Sequence, residues 1–132
     1  SYLFGQMGQA LLVPNIVFGY YAALFRVPGT SLAGSEFQIY TPVESVMRHN
    51  LMYALLTQPG GDFTADWSPF VAVAGNITAL IDKVDQTFLY GRMPRAMRQS
   101  LATAIAAQPD NAARAQVALL LTLVSGPYAV QY

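Results

Sequence analysis

The spacing of apolar residues along the chain predicts a mainly helical protein. In four segments, apolar side chains recur every three or four positions, which places them on one face of a helix. No segment shows the strict alternation that is typical of a half-buried strand, so no substantial sheet is expected. The predicted helices cover residues 43–57, 76–90, 94–107 and 111–125.

Capping residues mark the ends of these helices. Side chains that accept a hydrogen bond from a free backbone N–H favour the position just before a helix, and proline favours its first turn. Glycine is common just after the last turn, and Gly91 occupies that position for the second helix. The predicted N-terminal residues are Thr41 with Pro42 and Glu44 in a capping box, Asn76, Pro94 and Asp110.

The apolar positions also predict which faces are buried. Helix 43–57 is expected to turn one periodic face inward, and the residues at this three-to-four spacing are Val43, Val46, Met47, Asn50, Leu51, Ala54 and Leu55. The helix over 111–125 has apolar residues on every side, so we expect it to be central and buried. Helix 76–90 has an apolar face of Ile77, Leu80, Ile81, Val84 and Phe88, with Asp82, Lys83, Asp85 and Gln86 outside.

The segment before these helices, residues 7–42, is predicted to be irregular. Prolines and glycines interrupt any long periodicity there, while aromatic residues are dense. A loop so rich in aromatic rings is expected to be packed, because burial must offset its ordering entropy. The chain over 1–132 therefore reads as one unit of about four to five packed helices preceded by this segment. Its aromatic residues include Phe18, Tyr20, Tyr21, Phe25, Phe37 and Tyr40.

The composition changes this picture, because the chain has little polar surface. Hydrophobic residues make up 54% and charged residues 11%, and residues 1–25 contain no Asp, Glu, Lys, Arg or His. Soluble domains carry roughly 25% charged residues. We therefore expect protein to cover residues 7–25 and the last helix, either a partner subunit or the rest of a longer polypeptide.

The length of the apolar stretches, the net charge and the residue types exclude several classes of partner. The longest apolar stretch, residues 10–25, is interrupted by Pro14, Asn15 and Gly19, so no transmembrane span is predicted. The formal net charge is zero, which disfavours nucleic acid as a partner. The chain has no cysteine and one histidine, so neither a metal nor a cofactor is expected.

Few residues are candidates for chemistry. His49, between Arg48 and Asn50, would need an orienting carboxylate to act as a base, and Glu36 and Glu44 are the nearest acids in sequence. A structural role is the favoured interpretation. The same holds for Asp82 and Asp85, because solvated helix faces commonly carry such pairs.

Two further groups of charges stand in or near loops. Asp62 and Asp66 flank a loop near Trp67, the only tryptophan, where a sugar or cation site is conceivable. Three arginines follow at three-residue spacing, and ion pairing within the chain is preferred over an anion site. These are Arg92, Arg95 and Arg98, with Asp82, Asp85 and Asp110 as possible partners.

Several short motifs, taken in order, resemble one bacterial family. Met7-Gly8-Gln9 followed by Val13-Pro14-Asn15-Ile16 is similar to a segment that precedes its last helices, although a second proline is usual at Val13. The chain also carries Tyr20-Tyr21 where many members continue with tryptophans. The family is the uncharacterised domain numbered eighteen hundred in the domain-of-unknown-function series. Further similar stretches are Phe37-Gln38-Ile39, Arg48 with Asn50 and Leu51, Tyr90-Gly91-Arg92-Met93, Arg98-Gln99 and residues 118–131.

The resemblance implies a helical protein several hundred residues long, of which this chain is the C-terminal part. Many members are exported, which implies a periplasmic, cell-envelope or extracellular location. No catalytic residue is established for the family, so none is carried over.

Three functions follow from these observations. The first is a structural or interaction module that packs on its own missing N-terminal part or on a partner in a larger assembly. The second is a fragment of an enzyme of unknown reaction, with Arg48, His49 and either Asp62 or Asp66 contributing to a site completed elsewhere. The third is an apolar-ligand binder that uses the aromatic residues between Phe18 and Tyr40 as a pocket wall.

Overall fold

The computed structural model describes residues 21–39, 41–58 and 65–129, except for the side chains of Glu36 and Ile39. The chain divides into two compact units, Ser1–Leu51 and Met52–Tyr132, and the division falls inside the first α-helix. The sequence suggested one unit instead. We call these the N-terminal and C-terminal units and describe each by itself. The motifs of residues 7–18, with Tyr20, Tyr40 and Asp62, lie outside the described residues.

The described part of the N-terminal unit begins with a tight turn. Val27 N donates to Leu32 O and Gly34 N donates to Phe25 O, both at 3.0 Å, beside an isolated antiparallel bridge between Arg26 and Ala33. This pair is not part of a sheet, and no strand occurs within residues 21–39, 41–58 and 65–129. A 3₁₀ helix at Ser35–Ile39 follows, which the sequence did not predict.

Helix α1 spans Pro42–Thr57, within one residue of its predicted start. The two predicted capping residues contact each other, because the Thr41 hydroxyl donates to the Glu44 carboxylate, but this bond joins two side chains and is not one of the backbone bonds that define a capping box. Leu51 is buried as expected, but Val43 and Val46 are exposed, contrary to prediction. Apolar residues occupy more than one side of this helix, so periodicity alone did not select the buried side.

The C-terminal unit is formed by helices that pack around one central helix. Helix α5 contacts α2, α3, α4 and α6, which confirms its central position. Together with α1 these helices confirm a mainly α fold. Their bounds are α2, Ser68–Val71; α3, Ile77–Val84; a π-helical turn, Asp85–Leu89; α4, Arg95–Ala106; α5, Asn111–Leu123; and α6, Gly126–Ala129.

Helix α5 is not buried on every side, which corrects the prediction. Ala115, Ala118 and Leu119 are buried, whereas Leu121 is 40% exposed. The short alanine side chains allow neighbouring helices to approach closely, since interaxial distance depends on the side chains at the contact. The α5 face that bears Leu121 therefore does not contribute to the core.

A row of aromatic rings joins three elements of this unit. The rings of Phe70 and Phe88 are stacked at 5.8 Å between centroids, and Tyr128 meets Phe88 edge-on at 6.1 Å. Lys83 Nζ lies 5.7 Å from the centre of the Phe70 ring. These contacts hold α2, the π turn and α6 together at one end of the core.

The predicted helix 76–90 is divided by the π turn. Asn76 caps its start as predicted, accepting a hydrogen bond from Ala79 N at 3.1 Å. At the other end the capping residue is Tyr90, with φ of 54°, and Gly91 follows with φ of 75°. The N–H groups of both residues donate to Asp85 O. Two consecutive left-handed residues thus reverse the chain toward α4.

Replacing Gly91 by alanine is expected to lower the free energy of unfolding by about 1–2 kcal/mol, because L-residues disfavour the left-handed region. The added Cβ would also lie 3.1 Å from Gln86 Nε2. At Gly75, where φ is not positive and a Cβ would have ordinary contacts, the same substitution should change stability by less than about 0.5 kcal/mol. Urea denaturation of both variants tests this, and equal effects would contradict it.

Candidate functional site

The histidine candidate lies on α1 in the N-terminal unit. Arg48 and His49 are both partly buried, and the nearby Glu44 carboxylate accepts a hydrogen bond from Thr41. Asp66 belongs to the C-terminal unit, and Asp62 lies outside the described residues. Convergence of these groups in one catalytic site therefore stays a prediction.

The carboxylate pair on the second predicted helix forms an ion-pair cluster. Arg98 Nη2 donates to Asp85 Oδ2 at 2.7 Å, and Arg98 Nη1 is paired with Asp82. This confirms ion pairing within the chain for Arg98. The expectation that Asp85 is solvated is wrong, because the residue is only 3% exposed. It lies at the start of the π turn, where the helical periodicity used for the prediction changes.

Asp85 organises the connection between α3 and α4 through three sets of bonds. Its Oδ1 accepts from Met93 N at 3.0 Å, its Oδ2 accepts from Arg98, and its backbone oxygen accepts from Tyr90 and Gly91. The hydrogen bond to Asp82 raises the pKa of Arg98 most, and the hydrogen bond to Asp85 raises it further. Partial burial of the guanidinium opposes both effects. The Arg98 guanidinium binds both carboxylates, so this cluster links α3, the π turn and α4.

The loop candidate at Trp67 borders a groove of about 400 Å³ within the C-terminal unit. Its aliphatic lining consists of Leu56, Val71, Ala112, Ala113 and Ala115. Its aromatic and polar lining consists of Trp67, Asp110 and Gln116. The sequence pointed to Trp67 and Asp66 here, but it did not indicate Gln116, and it predicted Asp110 as a helix cap and a possible ion-pair partner rather than as part of this groove.

Three hydrogen bonds shape the polar side of this region. Asp110 Oδ1 caps α5 by accepting from Ala113 N at 2.8 Å, as predicted. Gln116 Nε2 donates to Leu56 O at 3.2 Å. Asp66 Oδ1 accepts from Ser68 N at 2.9 Å, and hydrogen bonds from the side chain and backbone of Ser68 lower the pKa of Asp66. Each carboxylate therefore accepts from a backbone N–H in the first turn of a helix, Asp66 in α2 and Asp110 in α5.

A second groove lies in the N-terminal unit. It measures about 380 Å³ and is lined by Phe25, Pro28, Phe37, Thr41, Pro42 and Ser45. Two members of the predicted aromatic set therefore line one concave surface. Phe18, Tyr20 and Tyr40 lie outside the described residues.

The described part of the chain contains neither a cluster of metal-ligating side chains nor a helix that could cross a membrane. Within residues 21–39, 41–58 and 65–129, no three or more His, Cys, Asp or Glu side chains are grouped so that they could hold a metal ion. Over the same ranges, none of the helices is both long enough and apolar enough to cross a membrane.

Comparison with known proteins adds no relative from which a role could be transferred. No family model, curated protein or solved structure matches the chain. The family resemblance seen in the motifs accordingly stays a prediction.

Proposed function

We propose that this chain is an interaction module of a larger, exported bacterial protein. Its N-terminal unit offers an apolar surface to the rest of the same polypeptide or to a partner subunit. The exported location and the larger protein rest on the family resemblance. The apolar surface rests on the exposure of side chains in the structure.

The exposed side chains of the N-terminal unit carry the proposal. Among its described residues Leu51 is the only buried large hydrophobic side chain, whereas Leu24 is 88% exposed and Val43 is 65% exposed. Leu32, Val46 and Phe37 are exposed as well. Single exposed apolar residues are ordinary, but neighbouring ones, such as Val43 and Val46 one turn apart on α1, are typical of interaction surfaces.

The C-terminal unit provides the contrast. It buries a cluster of 13 hydrophobic residues, among them Leu80, Leu101, Ile105 and Leu119. The same chain thus contains one unit with a buried hydrophobic cluster and a second in which several described apolar side chains are exposed. Only the second gains by covering its surface, because burial of apolar area is favourable at about 25 cal/mol per Å².

The test measures binding of a hydrophobic dye to the 132-residue chain and to a Val43→Gln/Val46→Gln variant. These two residues lie one turn apart on α1, so the variant removes adjacent apolar groups from the exposed side. We expect strong dye fluorescence for the unmodified chain and at least a twofold reduction for the variant. Helix content by circular dichroism should not fall, because glutamine is a better helix former than valine.

The matched control is Ser100→Gln/Thr103→Gln on α4. These positions have the same spacing and are also exposed, but neither side chain is apolar. Dye binding to the control should equal that of the unmodified chain. A chain that is monomeric, does not bind the dye and melts cooperatively would contradict the proposal.

The groove at Phe25 and Phe37 favours a second candidate, an apolar-ligand binder. Its volume of about 380 Å³ is near the lower end of the range for small-molecule sites, roughly 300–1,000 Å³. The two candidates differ in stoichiometry. Saturable binding of one dye molecule per monomer would favour the apolar-ligand binder. Dye binding that does not saturate, together with self-association of the chain, would favour the interaction module.

A further inference from the structure

We propose that the Trp67 groove of the C-terminal unit binds an organic cation with an apolar body, such as an alkylammonium ion, with Asp110 as its counter-ion. This site goes beyond the proposed function, because it shares no residue with the exposed surface of the N-terminal unit. The proposal rests on the lining of the groove, on its charge and on hydrogen-bonding capacity that the fold does not use.

The charge of the lining selects a cation. Asp110 is the only charged residue among those that line the groove, and Asp66 adds a second carboxylate directly before Trp67 in the chain. The N-terminus of α5 contributes a positive charge of roughly half a unit, which offsets only part of the Asp110 charge. An anion would be repelled, and a neutral ligand could at most donate a hydrogen bond to the carboxylate, without the charge–charge attraction that a cation adds.

The carboxylate keeps capacity for a ligand. Asp110 Oδ1 accepts from Ala113 N, while Oδ2 has no hydrogen bond to the described part of the chain. Gln116 uses one Nε2–H for Leu56 O, which leaves its amide oxygen as an acceptor. These two acceptors, Asp110 Oδ2 and the Gln116 amide oxygen, suit an ammonium group, which carries three N–H donors and no acceptor.

The remaining lining suits the body of such a ligand. Trp67 is the aromatic residue that attracts cations best, and it lies beside the aliphatic residues Leu56 and Val71. An apolar wall with a few polar groups is the usual construction of a small-molecule site. The groove volume of about 400 Å³ admits a ligand of a few heavy atoms to one of drug size.

The experiment uses Trp67 itself as the reporter. It is the only tryptophan of the chain, so its fluorescence reports on this groove without interference from another tryptophan. The 132-residue chain is titrated with n-butylammonium, with the neutral n-butanol and with the anionic pentanoate. We expect n-butylammonium to bind at least about tenfold more tightly than n-butanol, and pentanoate to bind most weakly. Equal or tighter binding of n-butanol would overturn the proposal.

An Asp110→Asn variant tests the counter-ion without removing the cap. Asparagine caps helices about as well as aspartate, so α5 should keep its start and the melting temperature should change little. We expect the affinity for n-butylammonium to fall at least about tenfold, with the affinity for n-butanol unchanged. An unchanged affinity for the ammonium ion would refute the role of Asp110.

Backbone amide NMR shifts locate the ligand independently. Addition of n-butylammonium should move the signals of Ala112, Ala113 and Gln116, which line the groove. Shifts confined to residues away from the groove would overturn the assignment of the site, even if a fluorescence change were seen.

Discussion

Replacing Asp85 by alanine is expected to lower the free energy of unfolding by about 3 kcal/mol, since it removes both a hydrogen bond to a buried donor and an ion pair. Asp85 is 3% exposed, and its carboxylate accepts from Met93 N and from Arg98. In the variant, Met93 N is left without this partner. Arg98 keeps Asp82 and partial access to solvent, so the cost stays below that of a fully buried unpaired charge.

Two control substitutions separate the contributions. Asp82→Ala removes only the solvent-exposed ion pair with Arg98, so it should lower the free energy of unfolding by about 0.5 kcal/mol or less. Asp85→Asn keeps an acceptor for Met93 N but loses the charge, so its effect should lie between the two. Urea denaturation followed by Trp67 fluorescence measures all three in the C-terminal unit. If Asp82→Ala costs as much as Asp85→Ala, the buried carboxylate is not the organising group.

Replacing Leu119 by alanine is expected to cost about 3–4 kcal/mol, because it removes buried methyl groups and leaves a cavity. Leu119 is completely buried on the central helix α5, whereas Leu121 on the same helix is 40% exposed. The substitution Leu121→Ala changes the same atoms in the same helix. It should cost less, about 1 kcal/mol, since 40% of the Leu121 surface already meets solvent and truncation leaves no closed cavity.

Thermal and urea denaturation of the two leucine variants give the comparison directly. A large difference would show that one side of α5 forms the core and the other does not. Similar losses at both positions would instead mean that the outer side of α5 is also packed, as the sequence alone suggested.

Local signals predicted the helices well, because caps and periodicity act within a few residues. Asn76 and Asp110 accept the expected hydrogen bonds from the N–H groups three residues on. The side of α1 that is buried was not predictable in the same way. Val43 and Leu51 are both apolar, and only tertiary contacts decide which of them is covered.

The candidate site depended more strongly on distant contacts. Trp67 was identifiable as the only tryptophan beside an acid, but nothing near it in sequence points to Gln116. The hydrogen bond from Gln116 to Leu56 O joins residues 60 positions apart. The burial of Asp85 likewise depends on Arg98, 13 positions further on, and on a π turn that the three-to-four spacing of apolar residues does not reveal.

The π turn makes the number of residues between α3 and α4 as important as their identity. Asp85 O accepts hydrogen bonds from Tyr90 N and Gly91 N. The ring of Phe88, within the turn, contacts the rings of Phe70 and Tyr128. Deleting one residue from Asp85–Leu89 would restore a regular helix, but it would rotate Phe88 and the reversing pair away from their partners. Evolution can therefore exchange side chains in this segment more easily than it can insert or delete them.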